Sequence, residues 1–128
     1  RWLLRLYLEA KFGLEEPSVL DAVLSADFKE HDKSASRGKE EVKELRKNLM
    51  TAFSHQRLRA LDAFRSDTKE VLRWTWRGVH SGRFAIWPPT NKLVKTSGIT
   101  IAHMANGRIT GVWEEWDFAG FREQLESK

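Results

Sequence analysis

Leu93-Val-Lys-Thr-Ser-Gly-Ile-Thr-Ile-Ala-His-Met-Ala-Asn-Gly-Arg-Ile-Thr-Gly-Val-Trp-Glu-Glu-Trp-Asp117 is the stretch whose reading decides the fold. Two apolar, β-branched runs flank Asn106-Gly107, a dipeptide that tolerates positive φ at both centres of a tight hairpin turn. Pairing the arms about that turn sets Ala105 opposite Arg108 and His103 opposite Thr110. Along the second arm, alternation sends Ile109, Gly111, Trp113, Glu115 and Asp117 one way. Arg108, Thr110, Val112, Glu114 and Trp116 point the other way. One face therefore ends in the Asp117 carboxylate beside large rings. Such a carboxyl group is a candidate for proton transfer, because desolvation raises its pKa towards the working range. An Asp at a strand end can equally cap the next helix, and the spacing leaves both readings open.

Working outward, the 128 residues read as one domain, 1–128, long enough for a single core. A hydrophobic content of 41% with 31% charged residues is that of a soluble globular chain. No apolar run approaches the roughly 20 residues needed to span a bilayer, so no membrane partner is expected. Trp2-Leu3-Leu4 is broken by Arg5 and is no signal-peptide core, although a start at Arg1 leaves open the removal of a leader. The absence of cysteine excludes disulfide scaffolds, thiolate metal sites and thiol nucleophiles, and makes the cytoplasm the expected location. The net charge is +4, with a pI near 9.6. However, the basic residues alternate with acids, as in Lys39-Glu40-Glu41-Val42-Lys43-Glu44-Leu45-Arg46-Lys47. That pattern is a solvated helix face and not a phosphate-binding stripe, so no nucleic-acid partner is expected.

The first residues, Arg1 to Phe12, carry a helical apolar stripe that Gly13 ends. Pro17 opens a second short helix through Val19, Leu20, Val23 and Leu24. Asp27 to Asp32 reads as brief and extended, and Lys33 to Gly38 as a loop. Lys39 to Phe53 is the clearest helix. Beyond it the hydrophobic period changes from 3.6 to 2, giving strands over Arg57 to Arg65 and Glu70 to Ser81 ahead of the hairpin. Trp87-Pro-Pro-Thr-Asn91 is confined to an edge or loop by its prolines. Phe118 to Leu125 closes the chain as a helix. The expected class is α+β: a curved antiparallel sheet packed against helices on one face.

Val71-Leu-Arg-Trp-Thr-Trp-Arg-Gly-Val-His-Ser-Gly-Arg-Phe84, Pro88-Pro89-Thr90, Ile109-Thr-Gly-Val-Trp113, Asp117, Gly120 and Gln124-Leu125 together resemble the SnoaL-like polyketide cyclase or ester-cyclase family. That family belongs to the nuclear transport factor 2-like superfamily. Early in the chain, Ala26-Asp27-Phe28 and His31-Asp32 fit as well. The resemblance implies a cone-shaped pocket between sheet and helices. It also implies cofactor-free intramolecular aldol chemistry on a polyketide-like ester, with Asp117 as acid/base and His103 holding the substrate. This chain departs from the family in carrying Trp87 and Asn91 where glycines are frequent, which bears on the loop over the pocket mouth. The superfamily hosts many functions, so the fold does not name the substrate.

Of the remaining candidates, His80 shares a strand face with Trp74 and Trp76, and the three can line one pocket wall or simply pack together. Trp113 and His31 complete the candidate substrate-binding set, with Trp113 and Trp116 assigned to opposite faces. The four histidines lack metal-ligand spacing, so neither metal nor cofactor is expected. The sequence thus leads to a cofactor-independent enzyme acting on a small hydrophobic carbonyl compound, forming a homodimer through its sheet. The alternative is a non-catalytic binding protein that uses the same pocket for an apolar ligand.

Overall fold

The structure, a computed structural model, describes residues 2–33 and 35–127. Helices α1 (Leu3–Lys11) and α2 (Ser18–Val23) precede strand β1 (Leu24–His31) and the short β2 (Ser36–Gly38). Helix α3 (Lys39–Ala52) leads into β3 (Phe53–Arg65), β4 (Lys69–His80), β5 (Leu93–Ala105) and β6 (Arg108–Trp116), and α4 (Phe118–Glu126) ends the chain. The strands form one curved, open sheet in the order β2-β1-β6-β5-β4-β3. The α+β class is as expected, with one difference: β1 runs parallel to β6, and every other neighbouring pair is antiparallel. A parallel pair needs a crossover, so β1 reached β6 only through long-range pairing that no local turn announces. Likewise, the expected loop over Lys33 to Gly38 contributes β2, because Arg37 and Gly38 pair with Glu30 and Lys29. Arg1, included in the expected first helix, lies outside the described residues.

Strand β4 separates the two faces of the sheet. Glu70, Leu72, Trp74, Trp76, Gly78 and His80 are buried towards the helices, and the residues between them are more exposed. On β5 the inward set is Val94, Thr100 and Ala102, with Ile99 and Ile101 outside. Helix α1 covers the inner face with Leu4, Tyr7 and Leu8, all fully buried. Gly98 is demanded by this packing, because a Cβ there would sit 2.6 Å from Trp74 Cζ2 and 2.9 Å from the Glu115 carbonyl oxygen.

The hairpin turn forms as read, with Asn106 at φ 53° and Gly107 at φ 75° and Ala105 opposite Arg108. One step further on the register slips. Met104 faces Ile109, but His103 faces Gly111, so Thr110 is the extra residue of a bulge and donates its hydroxyl to the His103 carbonyl. The expected pairing of His103 with Thr110 is thereby corrected. Because strand side chains alternate, one inserted residue moves Ile109 to the face of Val112, Glu114 and Trp116. Gly111, Trp113 and Glu115 are left outside. The strand ends at Trp116, so Asp117 belongs to neither face.

Candidate functional site

A cavity of about 160 Å³ opens between the inner sheet face and helices α1, α3 and α4. Its walls are aromatic, with Phe12, Trp74, Trp76, Phe84, Trp116 and Phe121 contributing rings. Phe12 meets Trp74 edge-on at 5.8 Å and stacks on Trp76 at 5.8 Å. Such a wall suits a flat apolar ligand. Four charged groups also line the cavity: Lys11, Glu114, Asp32 and Arg37.

These charges belong to one hydrogen-bonded cluster. Lys11 occupies the next position of the α1 stripe after Leu4, Tyr7 and Leu8, which turns its side chain inward to 5% residue exposure. Its Nζ donates to Glu30 Oε2 at 2.7 Å and to Glu114 Oε2 and Oε1 at 3.0 and 3.3 Å. Glu30 is fully buried; it also accepts from the Tyr7 hydroxyl and, at 2.9 Å, from Arg37 Nη1. Arg37 reaches Asp32 at 3.0 Å as well. Beyond Lys11, Glu114 accepts from the Thr100 hydroxyl at 3.0 Å, and Thr100 Oγ1 accepts from Trp74 Nε1 at 3.0 Å.

The environment drives the two central carboxyl groups in opposite directions. Burial raises the Glu114 pKa above the ordinary carboxyl value, and neighbouring Glu30 adds to the rise while Lys11 opposes it. Burial also acts on Glu30, but Lys11, the Tyr7 hydroxyl and Arg37 outweigh it and hold Glu30 low. Lys11 itself stays cationic: burial favours the neutral amine, but Glu114 and Glu30 together overcome it and raise its pKa. Tyr7 is raised by burial and by both carboxylates, so it remains a neutral donor. The two carboxyl groups are thus pushed in opposite directions around a cationic Lys11, Glu30 towards its ionised form and Glu114 towards its protonated form.

Single oxygens of Glu30, Asp32 and Glu114 lie within 4.8 Å of one another, the kind of set that can hold a metal ion. Here Lys11 and Arg37 already bond to those carboxylates, so a metal would have to displace two built-in cations.

The residues singled out in the sequence divide among three places. Trp74 and Trp76 line the cavity. His80 is on the same inner face but fully buried against Phe53, with ring centroids 5.2 Å apart, and it is not among the cavity's lining residues. Its Nδ1 accepts from the Thr90 backbone N–H, and its Nε2 has no hydrogen-bond partner among the described residues. Burial lowers its pKa, and the backbone of Gly82 and Trp87 offsets part of this.

His103, Trp113 and His31 cluster on the outer face, away from the cavity. Trp113 lies between the other two, with ring centroids 4.4 Å from His103 and 5.0 Å from His31. These three, expected to hold the substrate, do not line this cavity; His31 and Trp113 line a separate outer pocket with Ile99 and Ile101. Asp117 is exposed, and its Oδ1 accepts from the Gly120 backbone N–H at 2.9 Å. It caps α4, so the expectation of a desolvated carboxylate in an aromatic cup is met by Glu114 and not by Asp117.

Glu114, Glu30, Lys11, Tyr7 and Arg37 were not singled out in the sequence. A signal was present: Lys11, Glu30 and Glu114 are charges at positions where the period calls for an apolar residue. They follow Leu8, Phe28 and Val112 on their respective buried faces.

The model of the family described as SnoaL-like polyketide cyclase matches residues 3–125. No curated protein matches the chain by sequence. Among solved structures, a protein from Jannaschia sp. CCS1, provisionally assigned as a SnoaL-like polyketide cyclase, superposes with a TM-score of 0.85. The identity is 16%, over 98% of this chain and 89% of that one. TsrD from Streptomyces laurentii superposes at 0.80, with 24% identity over 98% of this chain and 93% of its own. A Catenulispora acidiphila protein with a ketosteroid isomerase-like fold superposes at 0.74, with 14% identity over 98% and 93% of the two chains. Likeness at these identities establishes the fold.

Proposed function

The chain belongs to the SnoaL-like polyketide cyclase family, and from that premise we propose a cofactor-independent acid/base enzyme for a small hydrophobic carbonyl compound, with Glu114 as the group that moves the proton. The supporting observation is the separation of the two buried carboxyl groups, Glu30 held low and Glu114 pushed up, because such a pair assigns the proton-transfer role to the raised member. Ionised Glu114 takes a proton from the carbon next to a carbonyl, and the C–H electron pair becomes an enolate. The enolate carbon attacks a second carbonyl of the same molecule, closing a C–C bond. Protonated Glu114 then returns its proton to the new alkoxide. The Trp74, Trp76 and Phe12 rings hold the flat substrate and exclude water from that exchange.

The test uses phenylacetone in D₂O, with deuterium uptake at the carbon next to its carbonyl followed by mass spectrometry. Glu114→Gln keeps the shape and removes the base, so exchange is expected to fall by about a hundredfold or more. Exchange that stays within tenfold of the unmodified protein would falsify the assignment. One observation favours a second reading, a binding protein: Glu114 is already engaged by Lys11 at 3.0 Å. A binding protein would return cyclisable β-dicarbonyl compounds unchanged and hold them as tightly with Gln at position 114.

A further inference from the structure

The acid/base reading leaves the buried cation on the cavity floor without a task. We infer that Lys11 is the oxyanion donor of this site, giving one ammonium N–H to the oxygen of an enolate formed beside Glu114. This rests on the reading of Glu114 as the base. An ammonium has three N–H donors and no acceptor. Glu30 Oε2 takes one at 2.7 Å. The two Glu114 oxygens, at 3.0 and 3.3 Å, belong to one carboxylate and subtend far less than the angle between two N–H bonds, so a single proton serves both. The third N–H has no oxygen partner among the described residues, and Lys11 lines the cavity. Besides its oxygen partners Nζ meets the Phe12 and Tyr7 rings at 5.7 and 5.9 Å, and a ligand oxygen would be a far stronger acceptor than either ring face.

The placement fits enolisation. An enolising carbonyl carries its oxygen and its acidic hydrogen on adjacent carbons, so donor and base must stand side by side. Here they are 3.0 Å apart. Moving the proton from carbon to Glu114 transfers one negative charge from the carboxylate to the enolate oxygen. Lys11 faces both, so the low-dielectric floor keeps the same net charge through the step. The bonds from Tyr7 and Arg37 to Glu30 hold the carboxylate that anchors Lys11, making those two positioning residues. Because the ammonium stays charged, it does not act as an amine nucleophile. The substrate class follows: a carbonyl compound that passes through an enolate, rather than one activated as an imine.

The experiment separates this donor from the base by working in the Glu114→Gln protein. The probe is 4-nitrophenol, a flat ring whose oxyanion stands in for the enolate oxygen and whose ionisation is read from its visible absorption. Bound to Glu114→Gln at a pH where the free probe is mainly phenol, it is expected to absorb as phenolate. Adding Lys11→Met should return the bound probe to phenol and weaken its binding by about tenfold or more. That double variant leaves Glu30 with Tyr7 and Arg37, so it strands no buried charge, and circular dichroism checks its fold. No bound phenolate in Glu114→Gln, or phenolate that persists without Lys11, overturns the inference, and neither result depends on whether Glu114 is the base. In the protein that keeps Glu114, Lys11→Met should slow phenylacetone exchange by about 10²–10³. A donor's loss is not restored by raising the pH until Glu114 is ionised, whereas recovery at high pH would reduce Lys11 to a tuner of Glu114 and also overturn the assignment.

Discussion

Replacing Lys11 with Met removes one charge and strands another. Glu30 keeps the Tyr7 hydroxyl and Arg37, but among the described residues Glu114 keeps only the Thr100 hydroxyl. Breaking a buried ion pair by removing one partner typically costs about 3–5 kcal/mol, chiefly because the remaining charge is uncompensated. The Glu114→Gln change alone should cost less, about 1–3 kcal/mol, since an amide can still accept from Thr100 and Lys11 retains Glu30. In the double variant the stranded charge is gone and a thioether chain replaces the lysine stem in the Tyr7 and Phe12 packing. Its cost should therefore fall short of the sum of the single costs by about 1.5 kcal/mol or more. Urea unfolding of the four proteins, followed by tryptophan fluorescence, measures the cycle. Additivity within about 0.5 kcal/mol would refute the claim that Lys11 and Glu114 form one buried unit.

Linkage gives a second outcome. A carboxyl group whose folded pKa is raised contributes stability that is complete below its unfolded value, ordinarily 4.5, and is lost as pH rises through the folded value. Glu114→Gln should therefore remove a decline in stability above pH 4.5, as seen in urea midpoints across a pH series. Asp117→Ala removes a helix cap and should cost about 1 kcal/mol while leaving phenylacetone exchange unchanged; loss of exchange would return the acid/base role to Asp117. On the outer face Ile99, Ile101 and Trp113 are about two-fifths exposed, and the expected homodimer would cover them. Trp113→Lys should turn that dimer into monomer by light scattering, and a monomeric unmodified protein removes the dimer altogether.

The hairpin shows how far the sequence reaches. Asn106-Gly107 marked the turn, and apolar alternation marked both arms, because those signals are local. The bulge at Thr110 is not local: it depends on Met104 pairing with Ile109 while His103 pairs with Gly111, and no residue type announces it. It moves Ile109 to the other face, whereas Val112, Glu114 and Trp116 shared a face by alternation alone; what the sequence could not supply was which of the two faces the helices cover. The parallel pairing of β1 with β6 was hidden for a related reason, yet that pairing sets Glu30 beside Val112, next to Glu114. Trp74 and Trp76 were legible because β4 alternates without interruption from Glu70 to His80.

The cluster itself argues against a purely structural role. Buried ion pairs of this kind are often matched or bettered in stability by apolar residues of similar volume, because desolvating each ion costs several kcal/mol. The surrounding core is already continuous, with Tyr7, Leu8, Phe28, Val112 and Trp74 all buried to 2% exposure or less. Leu or Met at positions 11, 30 and 114 would extend it, provided the Tyr7 and Thr100 hydroxyls that those carboxylates accept from were also replaced, by Phe and Val. What such a core would lose is a cation and a carboxyl group of raised pKa held 3.0 Å apart in an aromatic cavity. A ligand that brings both an oxygen and a transferable proton to that floor would use both groups at once, so the cost of burying these ions falls on the residues of the proposed chemistry.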